Sequence, residues 1–162
     1  GALCGSLQPP DPPGSRSARR SGIKALRILV IDEEALVREA LQRVLAESSV
    51  VTTASDTAQG LALLGESPTD LVIIDVVLPA VDGVAAIRQI RRDYPSIRVV
   101  AIAGSGNSGL SSYRPDAIST NAYLAACSAA GAHGTLAKPF ETSELRALIE
   151  RVFAQQASYP CK

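Results

Sequence analysis

The sequence predicts an α/β fold in which helices cover both faces of a parallel sheet. Three observations lead there. Short, continuous apolar runs rich in β-branched residues recur, as in Ile28-Leu29-Val30-Ile31 and Leu71-Val72-Ile73-Ile74, and read as strands buried on both faces. Segments with apolar residues at helical spacing lie between them. Five such strands alternate with five such helices, the pattern of a doubly wound sheet. Right-handed crossovers leave few topologies, and the flavodoxin-like (βα)5 order 2-1-3-4-5 is the default.

The first strand is Ile28 to Ile31. The helix after it runs from Glu34 to Glu47, with Leu36, Val37, Ala40, Leu41, Val44 and Leu45 at helical spacing. Val50 to Ala54 is the second strand. A short helix follows from Asp56 to Leu64, capped by Ser55 or Asp56, and Gly65 and Pro68 break the chain. Asp70 to Asp75 is the third strand, and Pro79 with Asp82-Gly83 marks a loop. Val84 to Asp93 is a helix with Ala85, Ile87 and Ile90 facing inward and Arg88, Arg91 and Arg92 outward. Ile97 to Ala103 is the fourth strand. Residues 104–120, rich in Gly, Ser and Asn, form a loop long enough to be functional or mobile. Asn121 to Ala130 is a helix of small residues, and Gly134 to Ala137 is the fifth strand. Glu141 to Gln156 closes the fold, with Leu145, Leu148, Ile149, Val152 and Phe153 on one face.

A chain of 162 residues suits one domain plus a tail, and 46% apolar with 20% charged residues allows a packed core. Residues 1–24 carry four prolines and four basic residues against one acid, and read as a disordered leader rich in Pro, Ser and Arg. The folded domain is then 25–157, with a tail at 158–162. Beyond residue 24 the chain has twelve basic and fifteen acidic residues, an acidic balance that argues against direct nucleic-acid binding. No apolar run approaches the roughly 20 residues that span a bilayer, so no membrane partner is expected. Cys4, Cys127 and Cys161 are odd in number and lack a CxxC pair, which fits a reducing cytoplasm. The single histidine, His133, has no nearby cysteine or second histidine for a metal site and reads as a loop or strand-edge residue.

The chemistry belongs where the topology makes a crevice, beyond the carboxyl ends of strands one and three. Strand one ends in Asp32-Glu33-Glu34 and strand three in Asp75. Alone, Asp32 reads as a helix cap and Asp75 as a solvated strand end. Together they are harder to dismiss, because unit charges ~4 Å apart repel by about 4 kcal/mol at an effective dielectric of 20. A hard divalent cation removes that repulsion, and Mg²⁺ works with one or two carboxylates plus phosphate oxygens. Strand five ends in Ala137-Lys138-Pro139-Phe140, which puts Lys138 on the same sheet edge. Its ammonium can pair with Asp75 or with a phosphoryl group there. The bland reading is a lysine that snorkels to solvent.

Three motifs carry a family resemblance: Ile28 to Glu33 (ILVIDE), Asp70 to Gly83 (DLVIIDVVLPAVDG) and Ala130 to Phe140 (AGAHGTLAKPF). In this order, at these strand ends, they resemble the response-regulator receiver family of two-component signalling across residues 26–156. The resemblance implies that Asp75 is the phosphoacceptor and forms an acyl phosphate. It implies that Asp32 and Glu33 hold Mg²⁺ directly or through water, with the backbone carbonyl of Val77 as a further ligand. Lys138 then contacts the phosphoryl oxygens, and a histidine kinase or phosphotransfer protein is the donor. A downstream protein partner is implied without being identified. Slow self-dephosphorylation is the only turnover the resemblance implies.

The sequence departs from the family at three positions. Glu33 stands where Asp is commoner. Ala103 stands where a Ser or Thr hydroxyl binds the phosphoryl group, and Ser105, of the same strand parity, is the candidate replacement. Thr135 stands at the family's switch aromatic. These degenerate switch positions favour an alternative, a phosphorylation-independent interaction module, whereas the intact Asp32, Glu33, Asp75 and Lys138 set disfavours it. A metabolic enzyme on the same sheet is not expected. There is no GxxxxGK[ST] loop, no GxGxxG after the first strand, no HExxH and no triad.

Overall fold

The computed structural model describes residues 25–76, 81–104 and 117–155. The expected leader at 1–24, the tail at 158–162, Val77, Pro79 and Ser105 lie outside these residues. Five strands, β1 (Arg27–Ile31), β2 (Val50–Ala54), β3 (Leu71–Val76), β4 (Arg98–Ala103) and β5 (Gly134–Ala137), alternate with five helices. The helices are α1 (Ala35–Leu45), α2 (Thr57–Glu66), α3 (Val81–Asp93), α4 (Ala117–Ala130) and α5 (Thr142–Ala154). Every strand pair is parallel and the order is β2-β1-β3-β4-β5, the flavodoxin-like order the sequence predicts.

Strand alternation divides the core into two layers. On one face Leu29, Ile31, Val72, Ile74, Val76, Val99 and Ala101 pack against Leu64 of α2, Ala86, Ile87 and Ile90 of α3, and Cys127 of α4. On the other, Ile28, Val30, Leu71, Ile73, Val100 and Ile102 meet Leu41 and Leu45 of α1 and the α5 stripe Leu145, Leu148, Ile149 and Val152. Continuous apolar strands are needed because both faces are covered. The edge strands are the exceptions: β2 fully buries only Ala54, with Val50 61% exposed, and β5 fully buries no residue.

Asp56 caps α2: its side chain accepts a hydrogen bond from the Gln59 amide at 2.7 Å. The Gln59 side chain reaches back to the Ser55 amide at 2.8 Å, so the two residues satisfy the helix entry reciprocally.

Four details differ from the sequence-based expectation. Asp82 and Gly83 lie in the first turn of α3, not in a loop. A β-carbon at Gly83 would stand 3.1 Å from Val76 Cγ1, so this glycine serves a close helix–strand approach. The buried stripe of α3 uses Ala86, whereas Ala85 is exposed. Residues 117–120 are the first turn of α4, which shortens the segment expected to be loop. On α1, Leu36 is 79% exposed and Ala40 also faces solvent, leaving Leu41 and Leu45 as the buried anchors.

His133 closes the β4–β5 ladder. Its amide donates to the Val99 carbonyl at 2.7 Å, and its ring Nδ1 accepts from the Val99 amide at 3.0 Å. Burial, then the charges of Arg91 and Arg98, lower the ring's pKa from 6.5 to about 4. The unfolded chain therefore takes up a proton that the folded ring refuses, and this contribution to stability is lost as pH falls from 6.5 through about 4. His133→Gln is expected to show a shallower acid loss of stability than wild type over that window. Urea midpoints of the two proteins at stepped pH in chloride buffer check it; parallel curves would contradict the assignment.

Candidate functional site

The β1–β3 pairing from Ile28↔Leu71 to Ile31↔Ile74 sets two carboxylates side by side at the strand ends. Asp32 continues β1 by one residue, its amide donating to the Ala54 carbonyl of β2 at 3.1 Å. Asp75 occupies β3 opposite Ile102 of β4. Lys138 follows β5 directly, its amide donating to the Ala103 carbonyl at 2.9 Å, and the Lys138–Pro139 peptide is cis.

The Lys138 ammonium lies between the two acids, with Nζ 3.2 Å from Asp75 Oδ1 and 3.4 Å from Asp32 Oδ2. Both carboxylates are almost fully buried, their side chains 2% and 7% exposed. Asp32 Oδ1 also accepts from the Glu34 amide at 2.8 Å. One cation serves two buried anions, and the electrostatics follow. Burial first, then the charge of Asp32, push the Asp75 carboxyl from 3.8 up to about 6, against the pull of Lys138. Burial opposes the charge on Lys138, but Asp75 and then Asp32 outweigh it, and the ammonium holds its proton more tightly than usual.

The structure thus brings together Asp32, Asp75 and Lys138. It does not bring Glu33 into the same cluster: Glu33 is exposed, and among the described residues no three acidic, His or Cys side chains are close enough to share a metal ion. Ala103 is buried beside the site, paired in register with Val76 and Ala137, and offers no donor. Thr135 is half-buried in β5 opposite Ala101.

Residues 28–150 match the model of the response regulator receiver domain. The chain belongs to the response regulator receiver family. Among curated relatives of this receiver, the DNA-binding transcriptional regulator NtrC of Escherichia coli K12 is 27% identical over 130 residues, 78% of this chain and 24% of NtrC. The response regulator MprA of Mycobacterium sp. KMS is 32% identical over 131 residues, 78% of this chain and 51% of MprA. The receiver thus spans about a quarter of NtrC and about half of MprA. A response regulator receiver domain protein from Clostridium thermocellum shares the fold, with a TM-score of 0.66 at 24% identity over 82% of this chain and 97% of that one. The family places the chain on the phosphoryl-accepting side of two-component signalling.

The donor set fits Mg²⁺. Two buried carboxylates with one ammonium leave a net negative, all-oxygen corner, and Mg²⁺ takes one or two carboxylates and fills its remaining positions with water and phosphate oxygens. Burial first, and then repulsion from Asp32, raise the Asp75 pKa, in keeping with a corner whose negative charge Lys138 only partly offsets.

Two residues of the receiver site escaped the sequence reading. Arg38 of α1 turns back on the acidic turn, its Nη1 donating to the carbonyls of Asp32 at 2.7 Å and Glu33 at 3.1 Å. In the sequence it is one more charge on an amphipathic helix, six residues beyond Asp32. Gly104 makes room for the Lys138 stem: a β-carbon there would lie 2.7 Å from Lys138 Cβ and 2.8 Å from Cδ. The sequence showed only a glycine in a Gly-Ser-Gly run. Arg38→Ala is expected to cost about 1 kcal/mol, less than the roughly 1.5–3 kcal/mol of a hydrogen bond to a charged group because Arg38 is only half-buried. It is also expected to speed amide exchange at Glu34, whose N–H the buried Asp32 holds. Urea denaturation and hydrogen exchange check both; unchanged Glu34 exchange would show that Arg38 does not hold the turn.

Proposed function

We propose that Asp75 accepts a phosphoryl group from the phosphohistidine of a histidine kinase or phosphotransfer protein, in an Mg²⁺-dependent reaction. An Asp75 carboxylate oxygen forms the new bond to phosphorus as the bond to the donor imidazole breaks, giving an acyl phosphate. The observation that carries this reading is the single ammonium of Lys138 held 3.2 Å from Asp75 and 3.4 Å from Asp32. Lys138 neutralises charge on the phosphoryl oxygens, and Asp32 with Asp75 would hold the metal. Mg²⁺, when bound, supplies neutralisation of the charge shared by the phosphoryl oxygens and the acids. Glu33 and the Val77 carbonyl complete the proposed set, with exposed Glu33 acting through water. A downstream protein partner reads the phosphorylated form, and the setting is cytoplasmic. Buried Cys127 as a free thiol is compatible with it.

Phosphoryl transfer in receivers is mainly positioning and charge neutralisation, so the absence of a hydroxyl at Ala103 bears on the switch more than on acceptance of phosphate. The aromatic toggle is also missing at Thr135. Ser105 remains the proposed substitute donor.

Incubation with a small acyl phosphate and Mg²⁺ is expected to add the mass of one phosphoryl group to wild type and nothing to Asp75→Asn. No gain in wild type would instead support a phosphorylation-independent interaction module. Ala103→Ser is expected to strengthen the coupling between phosphorylation and conformation by about tenfold, since a hydrogen bond to a charged group is worth about 1.5–3 kcal/mol. Amide chemical-shift changes in β4 and β5 on phosphorylation measure it; shifts equal to wild type would show that the missing hydroxyl does not limit the switch.

A further inference from the structure

At the opposite sheet edge, where β4 and β5 begin, three basic side chains gather: Arg91 of α3, Arg98 of β4 and His133 before β5. The Arg91 stem runs over Gly131, a residue with φ of 116° in the turn leading to His133. This corner is about five strand residues, or ~17 Å, from the ends that hold Asp75.

Hydrogen-bond accounting leaves the corner short of acceptors. The Val99 amide donates to His133 Nδ1 at 3.0 Å, so that nitrogen carries no proton, and the neutral ring keeps its proton on Nε2. Nε2–H then stands 3.3 Å from Arg98 Nη1, and arginine has no acceptor to offer. Arg98 Nε is buried without any partner. The Arg91 Nη1 donates to the Pro95 carbonyl at 3.1 Å, a neutral acceptor. Neither Arg91 nor Arg98 pairs with an acidic side chain among the described residues. Donors converge, no carboxylate meets either guanidinium among the described residues, and Arg98 Nε is buried without a hydrogen-bond partner. Buried polar groups and charges are ordinarily paired.

We propose that this corner is an oxyanion-binding site, in which one oxyanion, of the phosphate or sulfate class, accepts from the Arg98 guanidinium and from His133 Nε2–H while Arg91 supplies further positive charge. A water molecule would satisfy two N–H groups but leave both guanidinium charges unpaired. An oxyanion does both, through charge-assisted hydrogen bonds. Burial first, then the charges of Arg91 and Arg98, keep the ring neutral, so the positive charge of the corner is that of the two arginines. A metal cation is excluded, because one ring nitrogen is occupied by Val99 and the other carries a proton. The inference does not depend on the phosphoryl-accepting role of Asp75.

The sequence has one histidine, so imidazole C–H proton signals report on this corner alone. The full chain, free of divalent metal, is titrated with sodium sulfate, inorganic phosphate or acetate at ionic strength held constant with chloride. Saturable shifts of the His133 signals are expected with sulfate and phosphate. In sulfate the ring's pKa is expected to rise from about 4. Arg98→Gln is expected to weaken the response about tenfold or more, the usual consequence of losing a charge-assisted pair. Asp75→Asn is expected to keep it, which separates this corner from the phosphoryl site. If Arg98→Gln fails to fold, Arg91→Gln serves instead, with a severalfold weaker response. A stronger response to acetate would replace the phosphate class with a carboxylate and overturn the proposal as stated. Non-saturating shifts, a response unchanged in the arginine variants, or no response would also overturn it, the last showing that water fills the corner.

Discussion

Two buried carboxylates held by one ammonium are the constraint around which the rest of this receiver is arranged. Burial and the charge of Asp32 raise the cost of ionising Asp75, and Lys138, 3.4 Å from Asp32 and 3.2 Å from Asp75, offsets part of it. Such a group of charges is costly unless its geometry is fixed. The sheet fixes it. Asp32 is tied to β2 through the Ala54 carbonyl, Lys138 to β4 through the Ala103 carbonyl, and Asp75 lies in β3 between β1 and β4. Three strands distant in sequence each deliver one charged side chain to one point.

Smaller residues around that point matter by what they permit or hold. Gly104 leaves the space through which the Lys138 stem passes. Arg38 grips the carbonyls behind the acidic turn. Its positive charge is spent on backbone oxygens, leaving Lys138 as the cation between the two acids. Ala103 contributes packing and no hydrogen bond. The site therefore holds two acids and one cation, with no hydroxyl at position 103. At the far end of the same strands Arg91, Arg98 and His133 gather, and among the described residues neither arginine pairs with a carboxylate.

The fold was largely legible because its signals are local and repeated. The apolar strands, the helix stripes and a cap at Ser55 or Asp56 were each readable within a few residues, the structure selecting Asp56, and β2 and β5 match the predicted bounds. Where the reading failed, a local signal had a non-local purpose. Gly83 looked like a turn residue but serves contact with Val76. Ala85 and Ala86 are indistinguishable by composition, and only the phase set by Ile87 and Ile90 against the sheet selects Ala86. Leu36 pairs in spacing with Ala40, but it lies nine residues from Leu45, on the opposite side of α1 from the buried Leu41 and Leu45, and faces solvent.

The sequence by itself determined the alternation of strands and helices, the parallel sheet and the convergence of Asp32, Asp75 and Lys138. Apolar runs force burial, and strand ends in such a topology have one place to meet. Only the tertiary structure decided which acids share the ammonium, because Asp32 and Glu33 are neighbours in sequence but alternate in direction, one buried and one exposed. It also decided the roles of Arg38, Gly104 and His133. Each acts through a contact whose partner is set by folding in three dimensions: a carbonyl at the helix entry, a lysine stem from another strand, an amide across the ladder.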